Sequence, residues 1–174
     1  MPPLLLYGSE QSLYTGKVRA YLRYSQRPFV EVLCTRDVYK STIIPAVGWP
    51  VVPVVAGPNG RVLQDTTQII TALEDDSFSS GRAITPPGPK QRFASQLLNF
   101  FADEWLLLPA MWYRWGPPEQ EAYLIHEFGL VSAGPAATPE ARSNISAGLK
   151  PSTRRSRSLH RCCPCRCPCG YRLL

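Results

Sequence analysis

The chain has 174 residues, 44% of them hydrophobic, and a formal net charge of +6. That length suits one domain or two small ones with an apolar core. The charge would suit a nucleic-acid or acidic-membrane partner, but residues 150–174 hold seven Lys or Arg and no acid, while residues 1–149 hold twelve basic and thirteen acidic side chains, a net of −1. The body is therefore near neutral, which argues against both partners.

Taken in order, Leu4-Leu5-Leu6-Tyr7 is a short apolar strand signal broken at Gly8-Ser9. Leu13, Val18, Tyr21 and Leu22 then recur at helical spacing, with Ser12 placed to cap the helix. Arg27-Pro28 ends it, and Phe29 to Cys34 reads as a covered parallel strand, completing a βαβ unit. Residues 36–44 carry a short irregular helix, ended by Pro45, Gly48 and Pro50. Val51 to Val55 and Arg61 to Leu63, around Gly57-Pro58-Asn59-Gly60, form a hairpin signal. Pro53 has no N–H, so its nitrogen must face an edge or a ligand. Asp65-Thr66-Thr67 starts a helix whose Ile69, Ile70 and Leu73 share a face.

Residues 77–89 are rich in Ser, Gly and Pro and read as a linker. A strong helix begins at Lys90, with an apolar stripe through Phe93, Leu97, Phe101, Trp105 and Trp112. Pro109 should kink or split it. The stripe must pack on the first domain, on another helix or on a second subunit. A further helix spans 118–128.

Cysteine divides as the charge does: Cys34 is alone in the body, read as buried and inert, and five more lie between Cys162 and Cys169. The body shows no disulfide framework, no signal-peptide core and no run long enough for a membrane span, so a cytoplasmic protein is expected. The tail cysteines lack two separated C-x2-C pairs, so no metal is expected. Residues 129–174 read as a disordered Arg/Cys/Pro-rich tail.

In this order the elements and three motifs resemble the glutathione S-transferase superfamily, serine type. Leu6-Tyr7-Gly8-Ser9-x-x-Ser12 with Lys17-Val18-Arg19 is similar to its opening strand, loop and helix. Val52-Pro53-Val54-Val55 resembles its cis-proline motif, and Leu63-Gln64-Asp65-Thr66-Thr67-Gln68-Ile69 its Leu-x-Glu-Ser-x-x-Ile pattern. The resemblance covers residues 4–128. It implies an α/β fold: a thioredoxin-like, glutathione-binding domain at 1–78, a linker at 79–89, and a partial all-α region at 90–128.

It also implies roles. Ser12 would be the catalytic residue, its hydroxyl donating to the thiolate of glutathione. Lowering a thiol pKa of about 8.5 by ~2 units takes roughly 2.7 kcal/mol of differential interaction, and raises the thiolate at pH 7 from roughly 3% to roughly three-quarters. Val52, ahead of Pro53, would pair with the cysteinyl part of glutathione like an added strand. Asp65 would face the γ-glutamyl ammonium and Thr66 its carboxylate, unless the pair only caps a helix. Asp65-Thr66 replaces the commoner Glu-Ser. Gly48-Trp49-Pro50-Val51 stands where many members carry the lysine that meets the glycyl carboxylate, leaving Arg36 or Lys40 as substitutes. The expected activity is glutathione conjugation to an electrophile, with homodimerisation through the helical region. The rival is a catalytically weak binding or scaffold protein acting through the aromatic helix.

Overall fold

The structure, a computed structural model, describes residues 2–75, 82–134 and 137–140. Four strands form one sheet: β1 (Leu4–Gly8), β2 (Phe29–Leu33), β3 (Val54–Ala56) and β4 (Val62–Gln64), in the order β2-β1-β3-β4. β1 and β2 are parallel, as the βαβ reading requires, and β3–β4 is the antiparallel hairpin. β3 also runs antiparallel to β1, pairing Leu6 with Val55 and Tyr7 with Val54.

Strand alternation assigns those pairs to opposite faces. Leu6 and Val55 join Val18, Tyr21 and Leu22 of helix α1 (Leu13–Tyr24) and Ile69 and Leu73 of helix α4 (Thr66–Asp75) in the larger core. Val54 packs with Cys34 and Ile43 on the other face, with Tyr7, Val38 and Val47 around them. Each fully buried aliphatic side chain contributes roughly 1.5–3 kcal/mol. Cys34 is completely buried, and burial pushes its thiol up to about 12, so the inert reading holds.

Two expectations need correction here. β2 is not covered: it lies at the sheet edge, with Val30 and Leu33 exposed, because an edge strand receives cover from fewer neighbours. Nor does Pro45 end the second helical stretch. That stretch runs from α2 (Arg36–Val38) through a π-helical turn (Tyr39–Ile43) into α3 (Ile44–Val47). In the π turn the Ile44 N–H reaches back to the Tyr39 carbonyl, and Pro45 then falls in the opening turn of α3, where a missing N–H is tolerated. Gly48, at φ +89°, ends the stretch in the left-handed region that glycine adopts without penalty.

The helical region comprises α5 (Pro89–Glu104), α6 (Leu107–Trp115) and α7 (Pro118–Ala133). Pro109 splits the long helix as expected. Its ring would meet the carbonyl four residues back, at Trp105, and that is where α5 stops. α7 runs to Ala133 rather than 128, stopping at Gly134 with φ +84°. The helices dock on α1 and the loop before it: Lys17 bridges to Asp103 at 2.7 Å, the Tyr14 hydroxyl donates to the Asp103 carbonyl, and Gln11 Nε2 of the loop donates to Glu127 at 2.6 Å.

The aromatic stripe does not become core. α5 and α6 bury no residue, and Phe93 (68%), Trp105 (62%) and Tyr113 (68%) are largely exposed. Of the expected linker, residues 79–81 lie outside the described residues. So do residues 135–136 and 141–174 of the expected tail, with all five of its cysteines.

Candidate functional site

Strand direction alone gathers the three motifs. β1 ends at Gly8, and the loop to α1 carries Ser12. β3 runs the opposite way, so its start, Val54, lies beside Tyr7, and Val52-Pro53 stands just ahead of it. β4 ends at Gln64, opposite Val54, and Asp65-Thr66 follow immediately. Ser12, Val52-Pro53 and Asp65-Thr66 therefore meet at one end of the sheet.

Ser12 caps α1: its Oγ accepts from the Thr15 N–H at 3.1 Å. A hydroxyl has one donor and two acceptor positions, so the cap leaves its proton free to donate elsewhere. The loop approaches the helix closely. A Cβ at Gly8 would lie 2.2 Å from Thr15 Cγ2, so only glycine fits there.

The Val52-Pro53 bond is cis, and Pro53 is buried. Asp65 is exposed, with φ +68°, a region that Asp tolerates better than most residues. Its Oδ1 accepts from the Thr67 N–H at 2.9 Å and the Gln68 N–H at 3.1 Å, so Asp65 does cap α4. Both bonds fall on one oxygen. Thr66, the first residue of α4, is buried. Asp65 also lies within electrostatic reach of Tyr14, whose phenol is pushed up by burial first and then by Asp103, Glu104 and Asp65.

Where a lysine was expected, Trp49 donates its indole N–H to Gln64 Oε1 at 3.0 Å, tying the loop before Val52-Pro53 to the end of β4. Sequence reading noted Trp49 only as a missing lysine and overlooked this bond. Arg36 and Lys40 are exposed on the π-containing helical stretch. Arg19 fastens α1 to β2 through Glu31 at 2.7 and 2.6 Å, with Glu10 2.9 Å away. Arg114 on α6 donates to the Gln11 carbonyl beside Ser12. It too was passed over, although a single base inside an apolar run was the available signal.

A mixed four-stranded sheet with helices on both faces, and a cis-proline ahead of its third strand, defines a thioredoxin-like domain, here followed by helices. Residues 6–81 match the family model for the glutathione S-transferase N-terminal domain. This N-terminal domain is therefore similar to that of the glutathione S-transferases. Compared with curated proteins, the sequence has no significant match. Among solved structures it is similar to a beta-etherase from Sphingobium sp. strain SYK-6, at TM-score 0.58 and 19% identity over 92% of this chain and 62% of that one. It is also similar to a tau-class glutathione S-transferase from mango, Mangifera indica (TM-score 0.51, 18% identity, 91% and 60% coverage). A third is a glutathione S-transferase from Methylobacillus flagellatus with GSH bound (TM-score 0.51, 18% identity, 91% and 67% coverage). The chain spans less than two thirds of the mango and Sphingobium proteins, and at these identities the likeness is one of fold.

Proposed function

We propose that the N-terminal domain binds glutathione and that the protein conjugates its thiolate to an electrophile. The observation that carries this reading is the meeting of Ser12, Val52-Pro53 and Asp65-Thr66 at one sheet end, with the Ser12 proton left free by its cap. Val52 would pair with the cysteinyl backbone, placing the thiol toward Ser12. The Asp65 oxygen not used for capping would take the ammonium, and Thr66 would take the γ-glutamyl carboxylate at the start of α4. Either Arg36 or Lys40 would meet the glycyl carboxylate. With Ser12 donating to sulfur, the thiol loses its proton to solvent and the thiolate attacks an electrophilic carbon. A C–S bond forms, and the leaving group departs with the electrons of its own bond. GSH bound in the Methylobacillus flagellatus protein supports the ligand assignment.

Ser12→Ala tests it. One charge-assisted hydrogen bond is worth roughly 1.5–3 kcal/mol, so the bound thiol's pKa should rise by about one to two units with affinity nearly intact. Thiolate absorbance followed against pH reads this without knowledge of the electrophile. An unmoved pKa would reduce Ser12 to a helix cap. A second reading, a catalytically weak scaffold, is favoured by the exposed aromatic face of α5 and α6, which a protein partner or a second copy would cover. Measured affinity for glutathione separates the two.

A further inference from the structure

Between the Ser12 loop and helices α6 and α7 lies an open cleft of about 240 Å³, lined by Glu10, Gln11, Leu13, Tyr113, Arg114 and Tyr123 among others. Gln11 and Leu13 flank Ser12 in the chain, so the cleft borders the loop that carries it. Arg114 is half-buried there. Its guanidinium donates to the Gln11 carbonyl, and among the described residues no carboxylate comes within ion-pair distance of it. The nearby acids are engaged elsewhere: Glu10 with Arg19 at 2.9 Å, and Glu127 with Gln11 Nε2 at 2.6 Å. Burial lowers the Arg114 pKa with no acid opposing it, as for a cation lacking its counter-charge.

The Gln11 side chain is fixed beside the cleft. Its Oε1 is buried without a hydrogen-bond partner, and the bond from Nε2 to Glu127 holds it in that orientation, since a flip would set oxygen against carboxylate. The rest of the lining is Leu13, Ala110, Leu124 and the two tyrosines, with one further polar side chain, Gln120. A half-buried charge without a counter-charge is costly unless a ligand supplies one.

We infer that this cleft receives the electrophile and that Arg114 selects a small aryl carboxylate, its carboxylate on the guanidinium and its ring between Tyr113 and Tyr123. The volume falls below the ~300–1,000 Å³ of common ligand sites, which limits the occupant to about one substituted ring. The conjugation step rests on the glutathione transferase reading; the binding of an aryl carboxylate does not. For 4-chloro-3-nitrobenzoate the glutathione sulfur bonds to the ring carbon bearing chlorine, the C–Cl bond breaks, and chloride leaves with its electron pair.

The test has two arms. Calorimetry with unreactive 3-nitrobenzoate should show binding to the wild-type chain, at least about tenfold weaker binding of its methyl ester, and a comparable loss for the acid in Arg114→Gln. Arg114→Lys should retain part of the affinity, and circular dichroism should show both variants folded. Equal binding of acid and ester to the wild type overturns the assignment even if Arg114→Gln does not fold, as does acid affinity unchanged in that variant. The second arm compares kcat/KM for 4-chloro-3-nitrobenzoate and its methyl ester, each divided by its uncatalysed rate with glutathione. The acid should be preferred, and Arg114→Gln should abolish the preference, read as the ratio of the two kcat/KM values. Binding without turnover of either compound would refute conjugation and leave the carboxylate site standing. Turnover with no preference for the acid would refute the site and leave conjugation standing.

Discussion

Replacing Gly8 with alanine should strain the junction on which the site depends. The added Cβ would lie 2.2 Å from Thr15 Cγ2 and 2.7 Å from Oγ1, against a relaxed carbon–carbon contact of about 3.5–4.0 Å. Thr15 is completely buried and β-branched, so it cannot swing away, and relief requires α1 to move off β1. Overpacking of this kind costs about 1–3 kcal/mol, and two short contacts at once put Gly8→Ala at the upper end. Thr15→Ala alone should cost little. It loses about 1 kcal/mol of methyl burial but removes an Oγ1 that is buried without a partner, a relief of about 1–3 kcal/mol. With both changes the remaining contact is to Thr15 Cβ at 3.1 Å, only a few tenths of an ångström tight. The double variant should therefore recover most of the loss, a coupling of about 1–2 kcal/mol by urea denaturation. Because the Thr15 N–H is also the one that Ser12 accepts, Gly8→Ala should weaken glutathione binding too. Additive single effects, or Gly8→Ala within 0.5 kcal/mol (about the noise of such sums) of wild type, would refute the packing account.

Asp65→Asn keeps an oxygen to cap α4 and tolerates positive φ, so stability should hold while glutathione affinity falls by about 1.5–3 kcal/mol; calorimetry showing equal affinity would remove the ammonium site. Burial raises the Glu74 pKa, but hydrogen bonds from Thr85, Ile84 and Tyr21 outweigh it and hold the carboxyl below its usual range. Its contribution to stability is thus fully present above the unfolded pKa of about 4.3 and lost as pH falls through the folded value. The difference in urea midpoint between wild type and Glu74→Gln should shrink steadily below pH 4.3, about the unfolded pKa; a constant difference contradicts this. Finally, the exposed face of Phe93, Trp105 and Tyr113 should drive concentration-dependent self-association in sedimentation, and a clean monomer across the range would count against it.

What could be read in the sequence was local. Ser12 and Asp65 stand where helices start, and a side-chain acceptor before an apolar period marks a cap without tertiary knowledge. The hairpin and the parallel pair followed from strand runs and connection lengths. What escaped depends on which neighbour covers what. Val30 and Leu33 look like buried strand residues, and only the sheet order places them at an edge. The stripe from Phe93 to Trp112 carries a core-like period, yet periodicity states which face is apolar, not whether anything meets it. Arg114 and Gln11 are 103 residues apart, and no spacing rule joins them.

The absence of a lysine before Val52 looks like a defect in an anion site, but the topology suggests otherwise. β1, β2 and β4 all run in one direction, so the helical stretches that follow them begin at the same sheet end. Each opens with a side-chain cap: Ser12 to the Thr15 N–H, Thr35 to the Val38 N–H, and Asp65 to the Thr67 and Gln68 N–H groups. A helix start carries roughly half a positive charge and several unspent N–H donors, and each cap uses only one or two of them. Three such starts at one end of the sheet add a fixed positive field that does not titrate, beside Arg36 and Lys40. With the lysine gone, Val51 lies among the apolar neighbours of the Val54 core, and Trp49 is left to brace the loop through Gln64.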